Sequence, residues 1–195
     1  RSPGVPRAID SGRDRPASDV RFRRGALVAL ALLPPLLFLA VEAWLFDGDW
    51  QFPLDDSWIH LVFARSLAQG QGLAFNPGEL VAGTTAPLWT AVLGLLTLLP
   101  GSVLVWTKLA GIAAQAGSVL AVDLVGRRLG LSPARAAVAA GLVAASDWLV
   151  WSALSGMEVN LFVLLMLAGI ARHLRERQEA AAGAVRDLAQ RVDVG

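Results

Sequence analysis

The chain has 195 residues, 55% of them hydrophobic and only 17% charged, with a net charge of +1. Soluble domains carry about 45–50% apolar and about 25% charged residues, so both departures point to a membrane-embedded protein; a mean hydropathy of +0.54 agrees. A charge this close to zero gives no sign of a nucleic-acid partner. With no cysteine there is no disulfide framework, thiolate metal site or cysteine nucleophile.

Residues 1–24 hold seven Arg and three Pro with almost no large apolar side chain, the composition of a disordered basic tail. From Gly25 to Phe46 the chain is apolar save for Glu42, and ~20 such residues span a bilayer. This run is too long for a secretory signal core and lacks a small-residue cleavage site. Pro34-Pro35 lies mid-span, where a kink is expected and tolerated. Residues 47–83 then carry Asp47, Asp49, Asp55, Asp56 and Glu79 against one Arg, with turn signals such as Asn76-Pro77-Gly78. Within them, 56–69 reads as a surface helix with Ile59, Val62, Phe63 and Leu67 on one stripe, too short to cross. A second short helix is expected over 84–99, between Gly83 and Pro100. Three more apolar stretches follow, so the predicted fold is all-α and polytopic. Its four spans fall at about 25–46, 103–126, 134–154 and 157–172, ahead of a charged helical tail, 176–195.

Charge asymmetry orients this arrangement. Arg21/Arg23/Arg24, Arg127/Arg128/Arg135 and Arg172/Arg175/Arg177 are the basic clusters, and cytoplasmic loops collect such residues. All three fall inside only if 84–99 does not cross. The 47–102 segment is then extracytoplasmic, the N-terminus cytoplasmic, and all seven Trp lie at or near the outer interface that Trp prefers.

In this topology acids gather on the outer side: Asp55 and Asp56 in the first loop, Asp147 near the end of the third span, and Glu158 at the start of the fourth. Carboxylates at such depth are costly unless they serve a cavity, a partner or a reaction. Two readings compete for Asp55-Asp56. Asp is favoured at a helix N-cap and in the first turn; adjacent carboxylates also offer one group as general base and another to hold an acceptor or a cation. His60, one turn on, reads either as a polar-face residue or as part of that site. Asp147 is a candidate partner for Lys108, the only Lys. Two His and no Cys make zinc a poor fit, and no Gly-rich phosphate loop follows a strand.

From Asp55 the sequence runs DDSWIHLVFARSLAQGQGLAFNPGELVAGTTAPLWTAVLG. This resembles the first extracytoplasmic loop of bacterial polyprenyl-phosphate-dependent glycosyltransferases of the C-type fold, the arabinofuranosyltransferase-like and family-39-like membrane enzymes. The shared landmarks are Asp55-Asp56, Ala64-Arg65-Ser66, Gly70-Gln71-Gly72, Phe75 to Glu79 and Pro87-Leu88-Trp89. A further landmark is Ser155-Gly156-Met157-Glu158, which resembles the Ser-Gly-Leu/Met-Glu at an outer helix end of those proteins. The likeness covers roughly residues 24–175.

What the resemblance implies is sugar transfer from a polyprenyl-phosphate donor to a glycan, lipid or protein hydroxyl, on the outer face of a bacterial plasma membrane. Asp55 is implied as general base and Asp56 as its partner, in acceptor binding or in holding a divalent metal. His60, Arg65, Glu79 and Glu158 are implied in substrate binding, Arg65 against the donor phosphate. No soluble nucleotide sugar is needed, and no nucleic acid. Such enzymes run to several hundred residues and residue 1 here is Arg, so the chain reads as the N-terminal part of a longer protein. Two other readings stand beside this one: a non-catalytic polytopic membrane protein and an inactive truncated fragment.

Overall fold

The computed structural model describes residues 17–193. Its regular elements are helices: α1 Ala17–Leu45, α2 Asp55–Ala68, α3 Pro87–Thr97, α4 Val103–Arg128, α5 Pro133–Ala144, α6 Asp147–Leu154 and α7 Val159–Asp193. A single isolated β-bridge, Ala74 to Leu80, closes the loop between α2 and α3. Of the expected basic tail, residues 1–16 lie outside the described residues, whereas the chain is helical from Ala17. The helix begins earlier than Gly25 because its first turns have a partner: Arg23 pairs with Asp123 of α4.

Helix α4 is the hub, packed against α1, α3, α5, α6 and α7. Small residues allow it. Gly111 lies so close to α6 that a Cβ there would overlap the Ala153 carbonyl, and a Cβ on Gly126 would stand 3.3 Å from Ala136 of α5. Leu27, Ala31, Val119, Ala140 and Ala144 form the α1–α4–α5 core. This is the small-residue packing that lets helix backbones approach where no hydrophobic effect drives them together. Interhelical hydrogen bonds add to it: Gln115 Nε2 donates to the Val143 carbonyl at 3.1 Å, and Asn160 Nδ2 to that of Leu149 at 2.9 Å.

Two ion pairs fix the relation of α1 to α4. Lys108, in the second turn of α4, holds both carboxylate oxygens of Glu42 in the last turn of α1, at 2.9 and 3.0 Å. At the other ends Asp123 takes Arg23 and, at 3.0 Å, Arg127. The helices are therefore antiparallel, and residues 46–102 leave and return at one end of the bundle. Lys108 takes Glu42 as its partner, and not Asp147, the candidate suggested by sequence. Asp147 is exposed and accepts from the Trp148 N–H at 2.7 Å, opening α6.

The chain expected to cross once over 134–154 is broken. Helices α5 and α6 meet at 54° across Ala145-Ser146. Phe22–Leu45 and Val103–Arg128 are long and apolar enough to cross a membrane, and the bent pair makes a third if it is one span. The fourth expected span, 157–172, is not among them. Only Val159–Ala171 separates Glu158 from Arg172, fewer residues than the ~20 that a crossing needs. Beyond Ala171, α7 continues as a polar helix with Arg172–Glu176 and Arg175–Glu179 pairs at 2.8 and 2.7 Å. The Glu179 hydrogen bond, and then its charge, raise the Arg175 guanidinium above its ordinary range.

Candidate functional site

The segment 47–102 builds its own layer on the end of the bundle. Helix α2 packs against α3, and the close approach comes where Gly94 faces the Ala64 carbonyl, 3.2 Å from an added Cβ. The expected stripe on α2 is buried only in part. Ser57, His60, Leu61, Phe63, Ala64 and Ser66 are buried, while Ile59 and Val62 are half-buried and Leu67 is exposed. The inward face mixes Leu61 and Phe63 with small and polar groups, and one of these, Ser57, docks on a backbone carbonyl.

That carbonyl belongs to the corner between α6 and α7. Ser57 Oγ donates to the Ser155 carbonyl at 2.6 Å, and Trp89 Nε1 donates to the Gly156 carbonyl at 2.8 Å. Gly156 has φ +87°, a left-handed conformation that only glycine adopts without strain, and a Cβ would meet Phe52 at 2.9 Å and Ser57 at 3.0 Å. The two stretches singled out by sequence, 55–89 and 155–158, are thus one assembly.

At its centre His60, 3% exposed, is held by a chain of hydroxyls. Thr90 Oγ1 reaches both the Ala86 carbonyl, at 3.1 Å, and Thr84 Oγ1, at 2.8 Å. Thr84 Oγ1 in turn shares a hydrogen bond with His60 Nδ1 at 3.0 Å. Nε2 is turned towards Glu158, whose Oε2 is 3.5 Å away, and neither atom has another partner among the described residues. The ring thus presents its second nitrogen to a carboxylate in a buried place. Sequence reasoning had picked out His60 and Glu158 singly; it missed Thr84 and Thr90, which no spacing rule connects to them.

Asp55 and Asp56 form the exposed first turn of α2. Leu54 is the N-cap, without a side-chain bond, so neither Asp is a cap; their charges favour the helix N-terminus from inside the first turn. Arg65 is exposed ten residues further on, about 15 Å along the axis at ~1.5 Å per residue, beside Gln69, Thr97 and Gly101. Glu79 is exposed in the loop and accepts from Asn76 Nδ2 at 3.2 Å. The structure thus brings His60 and Glu158 together at the base of the loop and leaves Arg65 and Glu79 away from them. Among the described residues no three His, Asp or Glu side chains converge to hold a metal ion, so Asp56 gains no co-ligands. Beside Glu158 an apolar groove of about 420 Å3 opens between α3 and α7, walled by Pro87, Leu88, Leu161, Phe162 and Leu165.

Comparison with protein-family models, with curated proteins and with solved structures finds no match for this chain.

Proposed function

We propose that the chain is part of a membrane glycosyltransferase that moves a sugar from a polyprenyl-phosphate donor to an acceptor hydroxyl on the extracytoplasmic face. The observation that supports this reading most is the docking of the 55–89 loop on Ser155–Glu158 through Ser57, His60 and Trp89. A loop that served only to connect α1 with α4 would need no such seat. Four crossings are part of the proposal: α1 outward, α4 inward, α5 with α6 outward, α7 inward. In their favour, Arg128 donates to the Ala171 carbonyl of α7 at the end where Arg23 and Arg127 meet Asp123. All these cations then lie on the cytoplasmic side. The shortness of the apolar part of α7 is accommodated by Arg172 and Arg175 reaching back to the interface.

In the reaction, a carboxylate oxygen of Asp55 takes the proton of the acceptor hydroxyl as that oxygen bonds to the anomeric carbon. The bond from that carbon to the phosphate oxygen breaks, and polyprenyl phosphate leaves with the electron pair. Asp56 binds the acceptor beside Asp55. His60 and Glu158 hold neighbouring acceptor hydroxyls, and the α3–α7 groove takes the apolar chain of the donor. Arg65 and Glu79 lie off this arrangement and have no role in it.

The test is transfer by membranes carrying the chain within its natural reading frame, supplied with a panel of polyprenyl-phosphate pentoses and hexoses. Asp55→Asn is expected to lower transfer at least about 10²-fold, the low end for a general base, while membrane insertion stays normal. Transfer retained in Asp55→Asn would remove Asp55 as the base. No transfer from any donor by the unaltered protein favours the non-catalytic reading.

A further inference from the structure

A second cavity, on the α6 side of the loop, has no part in the proposal above. It holds about 300 Å3 between the last turns of α1, residues 49–53 and α6. Phe38, Val41, Phe46, Phe52, Trp151 and Leu154 make its walls, and the Lys108–Glu42 pair lies in its lining. That volume is at the lower end for ligand sites, about 300–1,000 Å3, and suits one apolar chain rather than a bulky group.

The polar end of the occupant follows from a charge and donor count. Lys108 is 2% exposed, and Glu42 accepts through both of its oxygens. An ammonium has three N–H groups, so at least one has no partner among the described residues, and the lone pairs of Glu42 are not exhausted. The pair is neutral as a unit. Among the described residues Asp49 at the rim is bonded only by the uncharged Gln51, at 3.1 Å, and no second cation lines the cavity. An anionic head group would meet the net negative charge of Glu42, Lys108 and Asp49 together. A hydroxyl answers both members of the pair, accepting from Lys108 and donating to Glu42.

We infer that this cavity binds the chain of a neutral, hydroxyl-bearing amphiphile, with its hydroxyl on the Glu42–Lys108 pair. The inference does not rest on the transferase reading, and a dead transferase leaves it intact. The probe is a diazirine-bearing dodecanol, photolysed with the full chain in phosphatidylcholine nanodiscs, with the labelled peptides identified by mass spectrometry. Label is expected on 38–46 and 148–155. Dodecanol should compete about tenfold better, a ~1.4 kcal/mol preference, than dodecanoate, dodecyl phosphate or dodecyltrimethylammonium. Exchanging the pair for uncharged side chains, Glu42→Gln with Lys108→Met, should erase that preference while label persists. Val41→Trp, which fills the cavity and leaves the pair untouched, should abolish label at both peptides even if the double variant does not fold. Label spread evenly over the lipid-facing helices, equal competition by the phosphate, the carboxylate or the ammonium, or unchanged label in Val41→Trp would each overturn the inference.

Discussion

Thr84 ties His60 to Thr90 through a single hydroxyl and so fixes the Nδ1 edge of the ring. Substitutions separate the two edges of the ring. In His60→Asn the amide nitrogen takes the place of Nδ1 and keeps the Thr84 bond; in His60→Gln the amide reaches the place of Nε2 and loses it. A buried hydrogen bond left unmade costs about 1–3 kcal/mol, and cleavage of a transiently opened loop tracks that cost. His60→Ala and His60→Gln should therefore speed limited proteolysis within 70–84, and His60→Asn should stay near the parent rate. Equal protection in all three would show that the loop is held by other contacts. Gly156 is the other decisive residue. Gly156→Ala combines a positive φ with overlap on Phe52 and Ser57, so it should lower the thermal midpoint and lengthen the reach of proteases into the same loop.

Among the elements, α2 shows why the site was only half legible in the sequence. Its acids, His60 and the Pro87-Leu88-Trp89 start of α3 are visible in the sequence as types and positions. Which face of α2 turns inward is not, because the apolar-in rule assumes water outside. Here the inward face must bond the Ser155 carbonyl and meet Thr84 and Glu158, so Ser57 and His60 are buried while Ile59 and Val62 are only half-buried. The α1–α4 contact is a second such case. Lys108 and Glu42 stand 66 positions apart, and the sequence suggested Asp147 instead. Lys108→Ala leaves the half-buried Glu42 carboxylate without its cation and should destabilise the protein by up to about 3–5 kcal/mol, whereas replacing both partners by Met should cost far less. Thermal unfolding in one detergent compares the two. Gly111→Ala drives a methyl into the Ala153 carbonyl and should cost about 1–3 kcal/mol as overpacking, which the same measurement reads.

For the whole molecule, the antiparallel α1–α4 pairing returns residues 46–102 to the end from which they left, and α3, at 11 residues, is shorter than a crossing needs. Ser102 precedes α4 and Ser132 follows it, and a chain without cysteine accepts single reporters at both. Ser102→Cys should react with an impermeant maleimide added outside intact cells, and Ser132→Cys only after permeabilisation; the reverse pattern would invert the proposed orientation. Apolar length by itself determined that the protein is helical with helices long enough to cross a membrane, and located α3, α4 and the end of α1 within a few residues, because a bilayer demands ~20 apolar residues per crossing. It did not determine the break at Ala145-Ser146, the inward face of α2, the partner of Lys108 or the hydroxyl chain that links Thr90 and Thr84 to His60. Those depend on groups far apart in the chain satisfying one another's hydrogen bonds and charges, and only the tertiary structure brings them within reach.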